Sequence, residues 1–121
     1  MPKTVVENFS VSYLQILDNK GKIDKKLEPK IDNSILKELY EKMVLSREFD
    51  RVALSLQREG RLFTYAPVIG QEAAQVGSAL ALKATDWMFP SFREWGVYIA
   101  RGVPLKTLYL YIKDFHQNCQ R

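Results

Sequence analysis

The 121-residue sequence predicts an incomplete α/β fold, mostly helical, with a short hairpin near its start and one core strand. Three observations carry this. An apolar stripe with steps of three and four runs through residues 33–59, as on one face of a long helix. A nearly all-small segment, Gln71 to Leu82, reads as a second helix. The apolar run Trp87–Phe89 stops at Pro90 and leads into two further helical stretches, a pattern consistent with a buried parallel strand. One strand cannot make a sheet, so residues 33–121 read as part of a domain rather than a finished one.

The elements follow in order. Residues 1–32 form an N-terminal arm, in which Ser12–Leu17 and Lys22–Lys26 flank Asp18-Asn19-Lys20-Gly21, a turn signal for a short hairpin. Pro29 closes the arm. Asn33 or Ser34 caps the long helix, which Gly60 stops after about Glu59. Its stripe is Leu36, Leu39, Tyr40, Met43 and Leu54. Arg47 and Asp50 fall on the same stripe, three apart, and are expected to form a buried ion pair that fixes packing rather than a catalytic pair.

Residues 61–69 form a loop carrying Leu62, Phe63, Tyr65 and Pro67. Such rings line a pocket or a subunit contact, or tuck over the core, and composition does not choose between these. On the helix after Gly70, Ala74, Gly77, Ser78 and Ala81 share a face that allows another backbone close; this is a packing feature without chemistry. Asp86 turns the chain into the strand. The last helices, about Phe92–Arg101 and Leu105–Asp114, are joined by Gly102-Val103-Pro104, with proline near a helix start.

Composition bounds the function. A hydrophobic fraction of 46% with 26% charged residues is ordinary for a folded soluble chain. The net charge of +4 comes with acids scattered among the early lysines, which reads as a solvated surface and not a nucleic-acid patch. The single cysteine, Cys119, allows no internal disulfide and no zinc site by itself, and fits a reducing compartment. The first residues hold no long apolar run, so neither a signal peptide nor a membrane span is expected, and a cytoplasmic protein is. There is one histidine, no nucleophile elbow, no Walker-type phosphate loop and no metal-ligand spacing, so no catalytic or metal residue is assigned.

The strand–helix junction Phe89–Gly96 carries the chemistry. Ser91 and Glu94 fit a capping box, leaving other first-turn N–H groups pointing outward at the positive end of a helix dipole. The guanidinium of Arg93 adds a fork suited to a phosphate. A solvated first-turn arginine is the plainer alternative, and these residues alone leave both open.

Segments REFD (Arg47–Asp50), REGR (Arg58–Arg61), YAP (Tyr65–Pro67), GQEA (Gly70–Ala73), Asp86 and FPSFREWG (Phe89–Gly96) stand in one order and spacing. That ordered set resembles the N-terminal part of the alpha subunit of the thiamine-diphosphate-dependent 2-oxo acid dehydrogenases. These are the decarboxylating first components of the pyruvate, branched-chain 2-oxo acid and acetoin dehydrogenase complexes. The likeness runs from roughly Tyr13 to Phe115.

The resemblance implies the first helices and one strand of a thiamine-diphosphate-binding fold. It implies oxidative decarboxylation of a 2-oxo acid with acyl transfer to a lipoyl group. The partners implied are a beta subunit, which supplies the carboxylate that activates the cofactor, and a lipoyl-bearing second component. Neither nucleic acid nor a membrane is among them. Phe92 and Arg93 match a family Tyr-Arg pair at the cofactor diphosphate; Phe92 lacks the phenolic hydroxyl, a loss of about 1–2 kcal/mol if nothing replaces it. Phe63, Thr64 and Tyr65 match a wall of the substrate channel. The Gly-Asp-Gly motif and asparagine that hold magnesium in the family have no match here, so this chain alone is not expected to bind thiamine diphosphate and magnesium usefully. His116-Gln117-Asn118 begins like a family His-Gly-Asn stretch and then stops, as a truncated, frameshifted or split gene would. A non-catalytic helical binding module, docking through the small-residue helix and the aromatic loop, is the alternative.

Overall fold

A computed structural model describes residues 3–118, with side chains described as far as Asp114. The chain divides into two units, Met1–Ile31 and Asp32–Arg121.

In the first unit the hairpin signal yields one antiparallel bridge, Leu17 to Ile23, in place of paired strands. Asp18 organises the turn. Its Oδ1 accepts from the backbone N–H groups of Lys20 (2.9 Å) and Lys22 (2.8 Å), and Gly21 takes a positive φ of 78°.

The second unit is helical: α1 Asn33–Arg58, α2 Glu72–Ala81, α3 Trp95–Ala100 and α4 Leu105–Asn118. Asp32, not Asn33 or Ser34, caps α1, its carboxylate accepting from Ser34 N at 2.8 Å. Aspartate offers two acceptor oxygens, and the Ser34 hydroxyl binds the same one. Gly60, at φ 71°, turns the chain out of α1, and the amides of Arg61 and Leu62 both return to the Leu56 carbonyl.

The buried face of α1 differs from the predicted stripe. Leu36 and Tyr40 are exposed, and Leu39, Met43 and Leu54 are half-buried. The residues that go inside are Ser46, Phe49, Asp50 and Ala53, because α2, α3 and the 61–69 loop all pack on the second half of the helix. Small and polar residues there are masked in a hydrophobicity pattern, yet they permit the closest approach. Gly96 shows the same constraint: a Cβ on it would lie 3.0 Å from Gln75 Oε1, which already accepts the Gly96 N–H at 3.0 Å. A side chain at 96 would therefore push Gln75 back by a few tenths of an ångström and stretch that bond.

Two clusters make the core. Phe49, Tyr65 and Trp95 anchor the larger, with Leu108 and Ile112 of α4. Val76, Ala79, Val97 and Ala100 form the smaller, where α2 meets α3. The predicted small face of α2 is not used for close packing within the described residues: Ala74, Ser78 and Ala81 are exposed and Gly77 is half-buried.

The predicted core strand is absent: among the described residues Trp87–Phe89 belongs to no strand. A strand needs a neighbouring backbone for its ladder, and none lies beside this segment. The helix expected from Phe92 begins only at Trp95, so Arg93 lies before the helix and not in its first turn.

Candidate functional site

Residues upstream of α2 fasten α1 to the loop through two carboxylates. Asp50 is 1% exposed, accepting from the Tyr65 hydroxyl on one oxygen and from Val68 N (2.8 Å) on the other. Glu72, in the first turn of α2, accepts from Arg47 Nε and from Gly70 N (2.9 Å). The predicted Arg47–Asp50 pair is thereby overturned. Arg47 lies at the helix rim, half exposed, and reaches Glu72, while Asp50 turns inward to neutral donors. Residues three apart on a helix can pair, but here each is claimed by a different partner, Glu72 for Arg47 and Tyr65 with Val68 for Asp50.

The two carboxylates titrate in opposite senses. The hydrogen bond from Arg47 holds Glu72 below the ordinary glutamate range, whereas burial pushes Asp50 up against the pull of its hydrogen bonds. Glu72 therefore stabilises the fold fully above the ordinary glutamate pKa and loses that contribution as pH falls through its lowered value. Asp50 contributes most below the ordinary aspartate pKa and loses that as pH rises through its raised value. Glu72→Gln should flatten the acid limb of a stability-against-pH curve, leaving the opposed contributions of Asp32, lowered by its bonds from Ser34, and of Asp50. Urea midpoints from pH 3 to pH 7 would read this, and an unchanged acid limb would show that Glu72 carries no part of it. Burial also raises the hydroxyls of Tyr65 and Tyr109, the latter to about 12, so both stay protonated donors at neutral pH.

Above this base the 91–94 turn is fixed from both sides. Glu94 Oε2 accepts from Ser91 N (2.7 Å) and Arg93 N (3.2 Å), which is the back-reaching half of the predicted capping box. Gln75 Nε2 donates to the Arg93 carbonyl (3.2 Å). The Arg93 side chain is exposed and enters no ion pair among the described residues. Arg101 ties down the preceding turn by donating to the carbonyls of Lys83 (3.0 Å), Ala84 (2.9 Å) and Asp86 (3.3 Å).

Beside the turn lies a cavity of about 220 Å³ whose walls include Thr64, Ser91, Phe92, Glu94, Trp95 and Tyr98. The structure thus brings Thr64 and Phe92 together and places Arg93 next in sequence to a wall residue. Phe63 is exposed on the same loop. Tyr65 faces the other way: it is buried, stacked on Trp95 at 6.0 Å, and bonded to Asp50. Gln75, Glu72 and Arg101 were given no role from sequence. The Gly-Gln-Glu-Ala segment marked a helix start, but nothing in its pattern told which partners its side chains would meet.

The chemistry of one residue suits a diphosphate: the Arg93 side chain is exposed, and a guanidinium can donate to a phosphate. The amides of Ser91 and Arg93 are already taken by Glu94. Among the described residues no group of three or more His, Cys, Asp or Glu is placed to hold a metal, and no helix is long and apolar enough to cross a membrane.

Comparison with known proteins is consistent over most of the chain. It is 56% identical over 69 residues to the 3-methyl-2-oxobutanoate dehydrogenase subunit alpha of Mycobacterium tuberculosis, covering 57% of this chain and 19% of that protein. It is 44% identical over 95 residues to the pyruvate dehydrogenase E1 component subunit alpha of Acholeplasma laidlawii, covering 78% and 28%. With the same subunit of Bacillus cereus the identity is 40% over 110 residues, covering 90% and 29%. The chain spans less than a third of the length of each of these relatives. Residues 40–118 match the family described as "Dehydrogenase E1 component", and with two thirds of its length inside that match the chain belongs to this family.

Proposed function

We propose that the chain serves as the N-terminal part of an alpha subunit in the decarboxylating component of a 2-oxo acid dehydrogenase. In this reading the assembled component oxidatively decarboxylates pyruvate or a branched-chain 2-oxo acid and passes the acyl group to a lipoyl group on a second component. A beta subunit completes the site, and the place of action is the cytoplasm. The observation that carries the reading is Arg93: its backbone is held on both sides, its side chain is exposed, its neighbour Phe92 lines a cavity, and the chain belongs to a dehydrogenase family. All three relatives named above are dehydrogenase subunits, so nothing favours a non-catalytic binding module.

Thiamine diphosphate, when bound, supplies the electron sink that decarboxylation needs. This chain's contribution is positional. Arg93 would hold one phosphate of the cofactor through its guanidinium. Phe92 closes the cavity with an apolar ring where a tyrosine would also donate, and Thr64, with Phe63 exposed beside it, walls the substrate's approach while Tyr65 anchors the loop from inside. Magnesium and the remaining phosphate contacts fall to residues outside this chain.

The test uses an intact subunit made by fusing this chain to the remainder of a family member, with cofactor dissociation constants measured at fixed magnesium and salt. Arg93→Ala should weaken binding by about 2–4 kcal/mol, the scale of a lost charge-assisted contact. Arg93→Lys should recover only part, because an ammonium lacks the fork geometry. Phe92→Tyr should tighten binding. An Arg93→Ala protein that binds as well as its parent would make Arg93 a solvated residue and end the assignment.

A further inference from the structure

We propose that Gln75 is a positioning residue for the phosphate contact: from α2, its side-chain amide sets the direction in which the Arg93 side chain leaves the backbone. This rests on the function proposed above and names the residue through which the affinity of Arg93 for a diphosphate is set. The amide bridges the start of α3. Its Oε1 accepts from Gly96 N at 3.0 Å, and its Nε2 donates to the Arg93 carbonyl at 3.2 Å. Gln75 is 8% exposed, so water competes little for either bond.

The bridge replaces a cap. Glu94 stands at the N-cap of α3 but makes no side-chain cap bond there. The acceptor that a serine or aspartate usually supplies from within the sequence comes instead from another helix, onto the N–H of the second helical residue. The amide also has only one workable orientation. A carbonyl needs a donor and an N–H needs an acceptor, so Nε2 faces Arg93 and Oε1 faces Gly96. The second Nε2 hydrogen goes to Gln71 Oε1 at 3.2 Å, which holds the amide plane. Gly96 leaves the room: a Cβ there would lie 3.0 Å from Gln75 Oε1 and 3.1 Å from Gln75 Cβ.

Arg93 is thereby fastened on both sides of its Cα. Its N–H donates to Glu94 Oε2 at 3.2 Å and its carbonyl accepts from Gln75. No ion pair among the described residues orients the guanidinium, so its aim is set at its root. A side chain that leaves the backbone in one direction has only its own torsions to order when it takes a phosphate. Without Gln75 one of the two anchors goes, and the helix start that carries the other is left with an enclosed, unpartnered N–H.

Two measurements test this. In the full 121-residue chain, Gln75→Met keeps the volume and removes both bonds, and the Gly96 amide should exchange at least about tenfold faster. In the fused intact subunit, the thiamine diphosphate dissociation constant is measured for Gln75→Met with arginine and with alanine at residue 93. The variant should weaken binding by about tenfold beside Arg93, the lower end of what an orienting partner is worth to a metal ligand. It should weaken binding by less than about twofold in the Arg93→Ala background, because the two residues act as one unit. A merely structural role would loosen the site whatever stands at residue 93. Gly96→Ala serves if Gln75→Met does not fold: it keeps every polar partner, displaces the amide, and should weaken binding by about threefold, again only beside Arg93. Equal weakening in both backgrounds, or a Gly96 amide that exchanges as before, overturns the proposal. If Arg93→Ala weakens binding and neither Gln75→Met nor Gly96→Ala does, the positioning role falls and the functional reading stands. If Arg93→Ala itself changes nothing, both fall.

Discussion

Asp50→Ala should destabilise the helical unit by about 3–4 kcal/mol, the sum expected when two enclosed donors lose their acceptor. Both donors are inside: the Tyr65 hydroxyl and the Val68 amide have Asp50 as their partner, and Tyr65 and Val68 are themselves buried. Alanine leaves each facing a void where no water is provided for. Asp50→Asn should cost about half as much, because one oxygen still accepts while the amide nitrogen faces a donor. Tyr65→Phe should cost less than Asp50→Ala, and the double change less than the sum of the singles, since the two groups share one interaction. The reason differs from the one the sequence suggests, in which Arg47 would be stranded. Arg47→Ala leaves the Asp50 bonds intact and so should cost less than Asp50→Ala. Urea unfolding of the full chain measures all five variants. A loss under about 1 kcal/mol for Asp50→Ala would mean that water reaches its partners.

Phe49→Ala should cost about 3–5 kcal/mol, comparable with half the stability of a small domain. The ring is 1% exposed and is the centre of the aromatic cluster. It stacks on Tyr109 at 4.4 Å, meets Tyr65 edge-on at 6.1 Å, and lies 6.3 Å from Trp95. Those partners come from the 61–69 loop, α3 and α4, so the one truncation loosens three connections to α1. Tyr109 also donates to the Phe49 carbonyl at 3.1 Å, a backbone contact that survives truncation and keeps the cavity from closing. Phe49→Leu should recover more than half of the loss by refilling volume without the ring contacts, which are worth about 0.5–1.5 kcal/mol each. The near-ultraviolet circular dichroism of Trp95 should fall with the alanine variant. If Phe49→Ala and Phe49→Leu cost the same, the ring geometry contributes nothing beyond volume.

Much of the helical layout was legible in the sequence. The α1 bounds came within one or two residues, the end more closely than the start, because Gly60 can leave a helix at positive φ while the Asp32 cap was missed. The Gly102-Val103-Pro104 joint and the start of α4 were readable for the same reason: glycine and proline act through their own backbone. The turn at Asp18 to Gly21 belongs with these. So does the contact from Glu94 back to Ser91, which spans three residues and needs no other element.

What failed were statements about partners. Arg47 and Asp50 are three apart on one helix, and spacing alone could not say that Glu72 would claim one and Tyr65 with Val68 the other. The Leu36–Tyr40 end of the stripe stays exposed, since amphipathicity shows that a face can be buried and not what arrives to bury it. Trp87–Phe89 has the composition and alternation of a strand but no ladder, because hydrogen bonding between strands is a property of two segments.

The sequence by itself determined the long helix, the second and the last, their stops and the family. Only the tertiary structure decided which carboxylate is buried, what crowds residue 96, and that the 91–94 turn is held by Gln75 from another helix. The physical reason is range. Backbone torsions and caps are set within a few residues, whereas burial, desolvation and hydrogen-bond partnership depend on atoms that the chain brings together from 15 to 60 residues away.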